Sequence, residues 1–331
     1  MNALPTTSKV IAYHHHGAPS SVAVLEEHKL PVLNDHDVLV RMKLAPINPA
    51  DINMLEGSYG ELRDLPAIGG NEGVGEVVAC GPGVRIQPGQ KVKPALGIGT
   101  WREWFVSPVS DLIIFPPFLA DEQAAMLMVN PPTAWRMLED FVPLQPGDWL
   151  VQNGATSAVG QLIIQLAHQR GIHTINLVRR RGVEMELRAL GADIVLVEDK
   201  EGLRQLAEMA ANKDIRLGLN CIGGESAAHV AKHLVSRGTM VTYGAMSRQP
   251  FRISTKLLIF KDLRVRGFWL TSWYRTASQR KIDEMFHALY HLFAQGKLQT
   301  SIARTYSIED YRLALAHATT GGRGGKILLK F

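Results

Sequence analysis

Cysteine is almost missing from this sequence: Cys80 and Cys221 are the only two in 331 residues. That excludes a disulfide framework and a four-cysteine structural zinc site, and it reads as a reducing compartment. Long apolar runs are missing as well. Stretches such as residues 162–164 and 257–260 fall far short of the ~20 residues that a bilayer span needs, so no membrane helix is expected. Charge of one sign is scarce. Lys and Arg number 36 against 31 Asp and Glu, with no block of five or six like charges, which gives nucleic-acid binding little support. Residues 1–10 carry neither the pattern of a secretory signal nor that of an Arg-rich transit peptide, so the expected location is cytoplasmic. A skew in composition is absent too: 46% hydrophobic, 20% charged and 7% aromatic residues describe a globular chain and exclude a disordered or collagenous one. A mass of 36.5 kDa exceeds what one core usually holds, which predicts two domains.

No internal repeat at solenoid periods is present, so local pattern has to divide the chain. Up to about residue 121, short β-rich runs at 37–42, 75–79, 91–94, 104–106 and 111–115 alternate with Gly and Pro punctuation, as a barrel-like, mainly β domain would. From Pro146-Gly147-Asp148 onward, β and α patterns alternate. Strands are predicted at 149–152, 174–178, 194–197, 217–221, 239–243 and 263–267, with amphipathic helices at 159–169, 184–190, 203–211 and 226–235 between them. Six strands with crossover helices write a doubly wound parallel sheet. The last sixty or so residues hold helix patterns at 279–295 and 308–317 and a closing strand at 326–331. They are too few for a domain of their own and are expected to rejoin the first. The predicted division is therefore 1–125 with 271–331, and an inserted 126–270.

The segment from Val151 to Gln161, with Gly154, Ala155, Thr156, Ser157, Ala158, Val159 and Gly160, follows a strand and opens a helix. Small residues there let the backbone approach a pyrophosphate, and the helix N-terminus presents unpaired N–H groups and about half a positive charge. Ala158 stands where a glycine is usual. An NAD site would place an acidic residue about 20 residues further on. Here Arg179, Arg180 and Arg181 occupy that place, and guanidinium groups suit the 2′-phosphate of NADPH.

With these features in place the chain resembles the medium-chain dehydrogenase/reductases, and within them the mitochondrial-type 2-enoyl thioester reductases. The likeness rests on Asn48-Pro49-Ala50-Asp51-Ile52-Asn53, Gly57-Ser58-Tyr59-Gly60, Gly69-Gly70-Asn71-Glu72-Gly73, Gly99-Thr100-Trp101, Val129-Asn130-Pro131, and residues 260–264 through Phe268-Trp269-Leu270. The resemblance implies an α/β fold, a GroES-like mainly β catalytic domain with an inserted Rossmann sheet. It places Asn48, Asn71 and Asn130 at the positions that hold zinc in the alcohol dehydrogenase branch, and asparagine is a poor zinc ligand. His14, His15 and His16 are consecutive and cannot converge on one metal from a strand, so the run reads as an exposed edge or turn and no metal is expected.

The same resemblance assigns the catalytic role to Tyr59. Hydride delivered to C3 of an enoyl thioester makes an enolate, which needs a donor at its oxygen and a proton at C2, and a phenol can serve either need. The NADPH contacts it implies are Asn130; Thr156, Ser157, Ala158 and Val159; Arg179 and Arg181; Tyr243, Gly244, Ala245 and Met246; Phe268, Trp269 and Leu270; and Lys326. Dimerisation as a homodimer through the nucleotide domain is implied by the family alone. The substrate expected is an enoyl-CoA or enoyl-ACP in fatty acid synthesis, and the sequence leaves carrier and chain length open. Two other readings share the pattern: an NADPH quinone or alkenal reductase of the same superfamily, and a non-catalytic NADPH-binding protein.

Overall fold

The computed structural model describes residues 4–94 and 97–331. In chain order its strands are β1 (Thr7–Tyr13), β2 (Ala23–Lys29), β3 (Asp37–Ile47), β4 (Ala67–Ile68), β5 (Val74–Cys80), β6 (Lys91–Lys93), β7 (Trp104–Pro108), β8 (Ile113–Ile114), β9 (Trp149–Gln152), β10 (His173–Val178), β11 (Ile194–Val197), β12 (Ile215–Asn220), β13 (Thr239–Thr242), β14 (Arg264–Gly267), β15 (Ile302–Ser307) and β16 (Lys326–Lys330). The chain divides into two compact units, Met1–Met128 with Thr300–Phe331, and Val129–Gln299.

In the first unit β3 is the spine. Its eleven residues pair antiparallel with β5, β7 and β16, and β15 lies parallel beside β16. A second small sheet runs β2-β1-β4. The pattern of β3, buried at Val38, Val40 and Met42, aims one face at a core with Val77, Val92 and Phe105. Another core gathers Ile11, Tyr13, Ile47, Leu55 and Trp101 with Ile308, Tyr311, Leu315 and Ile327, so residues near the C-terminus pack into the core of the first unit. Strands β1 and β2 were not legible. Five of the seven residues in β1 are buried nearly without alternation, and β2 carries three charged residues of seven, so neither shows a clean period of two. The histidine run sits in the turn after β1, with His14 and His15 exposed.

In the second unit the six-stranded parallel sheet has the order β11-β10-β9-β12-β13-β14, which is the doubly wound order 3-2-1-4-5-6. Every strand lies within two residues of its predicted start. Val151, Ile175 and Leu177 pack on one face with Leu206, Val230 and Leu234, and Leu217 and Leu219 are buried in the same sheet. The predicted return at residue 271 needs correction. Helices Leu270–Thr276 and Gln279–Ala294 belong to the second unit, and the crossing falls at Thr300. Met285, Phe286, Leu289 and Phe293 bury one face of the longer helix, which packs on the helix Asn130–Glu139. Gln165 fixes the end of the segment, with both its amide groups bonded to the backbone of Gln299 at 3.0 and 2.8 Å.

Candidate active site

The carboxyl ends of parallel strands share one edge of the sheet, and there the second unit collects most of the expected cofactor residues. After β9, Gly154 takes a left-handed φ of +61°, and a Cβ on it would lie 2.3 Å from Cys221 Sγ. Ser157 caps the helix Ala158–Gln169, its Oγ accepting the Gly160 N–H at 3.1 Å. A Cβ on Gly160 would stand 2.7 Å from the Gly154 carbonyl oxygen, so this position admits glycine only. Ala158 is the first helical residue, ahead of that crowded contact, which is why a methyl group is accepted where glycine is usual. Thr156 is exposed, and Ala158 and Val159 bring first-turn N–H groups to the edge.

Arg179, Arg180 and Arg181 follow β10 directly and are exposed. Arg181 Nη2 lies 2.8 Å from Asp199 Oδ2, and Asp199 in turn caps the next helix by accepting the Gly202 N–H. After β13, the Tyr243 N–H bonds the Asn220 carbonyl at 3.0 Å and the Met246 N–H bonds the Cys221 carbonyl at 2.9 Å, which shapes the turn through Gly244 and Ala245. The Tyr243 hydroxyl is buried beside Cys221 and Ser157, and burial raises its pKa well above the usual phenol value. The first-turn N–H groups of the helix Ala158–Gln169 and the exposed guanidinium groups after β10 fit the phosphates of a dinucleotide. After β14, Phe268 and Trp269 line an open groove of about 470 Å³ together with Phe141, Thr242, Arg266 and Trp273, while Leu270 is buried at the next helix start. Asn130, buried, begins the helix Asn130–Glu139.

Beneath the glycine turn lies a polar core that sequence reasoning missed. Asn153 Nδ2 donates to Asn220 Oδ1 at 2.8 Å and to Ser226 Oγ at 3.0 Å, and its Oδ1 accepts the Cys221 N–H at 2.9 Å. Glu198 accepts from Ser226 at 2.9 Å and pairs with His229 at 2.8 Å. The only signal was a run of polar residues at strand ends, which alternation alone does not interpret.

Tyr59 and Lys326 stand in the first unit. Tyr59, half-buried, follows the helix Pro49–Glu56, which stops at Gly57 in the left-handed conformation (φ 76°). Asn48 and Asp51 form a capping box at the start of that helix, with the Asn48 N–H donating to Asp51 Oδ2 at 2.7 Å. Lys326 is 3% exposed, and its ammonium donates to Asn48 Oδ1 and to the Ile47 carbonyl. Asn48 Nδ2 donates to Glu72 Oε1 at 2.7 Å, and Glu72 Oε2 accepts the Met128 N–H at 3.0 Å. Asn71 Nδ2 donates to Asp51 Oδ1 at 2.6 Å, and Asn71 Oδ1 accepts from Arg63 at 2.8 Å.

Burial pushes the Asp51 carboxyl up to about 6 and raises that of Glu72, while it lowers the Lys326 ammonium; attraction between Lys326 and each carboxylate opposes these shifts, and repulsion from Asp51 adds to the shift of Glu72. Asn48 and Asn71 thus spend their side chains on a carboxylate–ammonium network. Asp51 and Glu72 lie inside the motifs quoted above, yet only the Asn-x-x-Asp spacing of the capping box was readable in advance.

Comparison with known proteins finds likeness along most of the chain. The Alcohol dehydrogenase GroES-like domain family matches residues 34–117, and the Zinc-binding dehydrogenase family matches residues 158–288. The mitochondrial enoyl-[acyl-carrier-protein] reductase of Mus musculus is 45% identical over 320 residues, 94% of this chain and 85% of that protein. The mitochondrial 2-enoyl thioester reductase heterodimer of Candida tropicalis superposes with a TM-score of 0.90 at 30% identity, covering 98% of this chain and 100% of that one; its Etr1p subunit is also known in complex with NADP and crotonyl-CoA. A Bacillus thuringiensis protein described as a putative NADPH:quinone reductase has the same TM-score at 28% identity, over 99% of this chain and 100% of that one. The mouse, human and Arabidopsis thaliana relatives are all named mitochondrial, which overturns the cytoplasmic location expected from residues 1–10.

Proposed function

Because the chain belongs to the mitochondrial-type enoyl thioester reductases of the medium-chain dehydrogenase/reductase superfamily, we propose that Tyr59 is the group on which its reaction turns. The enzyme reduces trans-2-enoyl thioesters to acyl thioesters with NADPH, a step of fatty acid synthesis, and likeness along nearly the entire chain carries that assignment. NADPH, when bound, supplies the hydride that goes to C3. The chain itself must stabilise negative charge on the thioester oxygen and see a proton delivered to C2. Tyr59 donates its hydroxyl hydrogen to that oxygen or passes the proton onward, and its place just past a capped helix gives the phenol a fixed base.

Gly154 and Gly160 with the first-turn N–H groups of Ala158 and Val159 hold the pyrophosphate, supported by Thr156 and Ser157. Arg179 and Arg181 take the 2′-phosphate, which requires Arg181 to share or release Asp199. Asn130, residues 243–246, Phe268, Trp269, Leu270 and Lys326 complete the set of cofactor contacts that we assign. The reaction runs without zinc in this reading, supported by Asn48 and Asn71 being committed to Glu72, Lys326, Asp51 and Arg63. The working state is a homodimer. Strand β14 ends the sheet with all four residues exposed, and the helix before it shows Ile259 and Phe260 at 65% and 78% exposure, a surface suited to pairing with a second copy.

Tyr59→Phe keeps the ring and removes the hydroxyl. Crotonyl thioester reduction should fall by about 10² to 10³, the usual cost of one oxyanion donor, with NADPH affinity unchanged. A quinone accepts charge without needing a carbon-bound proton, so any quinone reduction should change less than tenfold. A Tyr59→Phe chain that reduces enoyl thioesters at the wild-type rate would make Tyr59 a packing residue.

A further inference from the structure

A catalytic phenol is useful only if its oxygen is held to within about half an ångström of the working position. Tyr59 lies in an irregular segment between the helix Pro49–Glu56 and Arg63, without a strand or helix of its own to hold it. Its upstream end is anchored well: the helix is capped by Asn48 and Asp51, and the Ser58 N–H returns to the Asn53 carbonyl at 2.9 Å. At its downstream end Arg63 ties it to the next segment. Arg63 donates to the Ile68 carbonyl, to the Gly70 carbonyl at 2.9 Å and to Asn71 Oδ1 at 2.8 Å, three oxygens on the segment that runs into Glu72.

The two anchors meet. Asn71 takes the Arg63 guanidinium on its oxygen and donates its amide to Asp51 Oδ1 at 2.6 Å, while the other Asp51 oxygen caps the helix. The backbone from Asp51 to Arg63, with Tyr59 inside it, is therefore closed into a ring by two side-chain bridges. Asp51 is 3% exposed, and the bonds of Asn71 and Arg63 are part-buried, so water competes less there than at the open surface. Gly69 and Gly70 let the far side of the ring approach the buried Trp101: a Cβ on Gly69 would lie 2.2 Å from its ring, and Gly70 has a φ of +88°.

We propose that the Asp51–Asn71–Arg63 chain is a clamp that positions Tyr59 for proton donation, with Asn71 and Arg63 acting as positioning residues for the enoyl reduction. The clamp rests on the catalytic reading of Tyr59. It assigns to Asn71 the task of tying the tyrosine loop shut.

The test is a double-mutant cycle. Asn71→Ser cuts both bridges, and Arg63→Gln cuts the downstream one. Each should lower kcat for crotonyl-CoA about tenfold while the Kd for NADPH, read by nicotinamide fluorescence, stays within twofold and the melting curve keeps its shape. Arg63→Lys should recover part of the loss. Placed on Tyr59→Phe, neither change should lower kcat by more than a further twofold, because the group being positioned is gone. A full additional tenfold on the Tyr59→Phe background, or single variants at wild-type kcat, overturns the clamp. So does an Arg63→Gln chain that no longer folds, since Arg63 would then be holding the unit and not the loop. If Tyr59→Phe alone leaves kcat intact, the reading of Tyr59 fails and takes the clamp with it; if it does not, a failed cycle counts against the clamp only.

Discussion

Lys326 shows how much one buried cation can carry. Its ammonium balances Asp51 and Glu72, two carboxylates that burial drives toward the neutral form. In Lys326→Met that compensation is lost, and the folded-state pKa values of both acids move further above their unfolded values near 4. An acid raised on folding contributes stability below its unfolded pKa and loses it as pH rises through the folded one. The variant should therefore match wild type most closely at about pH 5 and fall behind progressively above about pH 6, by about 3–5 kcal/mol at pH 7, below the pH of about 8 at which Lys326 loses its own charge. Urea midpoints at the two pH values read this directly; a pH-independent difference would mean that Lys326 acts by packing. The arginines give a second residue-scale expectation. Arg181 already pairs with Asp199 at 2.8 Å, so Arg179→Ala should raise the KM for NADPH more than Arg181→Ala does. The KM for NADH should barely move in either, and equal losses for both cofactors would count against a phosphate site.

At the scale of elements the turn after β9 does two jobs with two glycines. Gly154 supplies the positive φ, and Gly160 lets the helix lie against the strand end. Gly160→Val has no room, because its first carbon alone meets the Gly154 carbonyl oxygen at 2.7 Å and the Ala155 backbone at 2.8 Å. The turn should open, and NADPH affinity should fall at least tenfold by fluorescence titration while far-UV circular dichroism stays near wild type. Ala158→Gly, at the first helical position, should change affinity less than threefold. If the two substitutions behave alike, the contact at Gly160 is not what shapes the site.

For the whole molecule, the informative feature is an edge. In the six-stranded parallel sheet β14 is an edge strand with no further strand beside it among the described residues, next to Leu258, Ile259 and Phe260, all exposed. Pairing with the same strand of a second copy would extend the sheet and bury those side chains in one step. Phe260→Glu with Ile259→Arg should convert a dimer to a monomer in sedimentation velocity. A wild-type chain that already sediments at 36.5 kDa at micromolar concentration would refute the homodimer.

What the sequence determined by itself was whatever is written in local period and punctuation. The strands at 149–152 and 194–197 came out to the residue, because a parallel core strand is a short apolar run bounded by turn signals. The glycine turn and the arginine trio were readable as motifs, since each is contiguous in the chain, whereas the Gly-Ser-Tyr-Gly segment was marked by the family resemblance alone. The crossing at Thr300 was not readable. The helix Gln279–Ala294 shows an apolar face without naming what covers it, and only the folded unit assigns that face to the helix Asn130–Glu139. The polar network of the first unit was equally hidden. Asn48, Glu72 and Lys326 are 24 and 254 residues apart in turn, and local pattern carries no term for a contact at that distance. Tertiary structure decided it for a physical reason: charges taken out of water must find one another, and the fold alone sets which ones can.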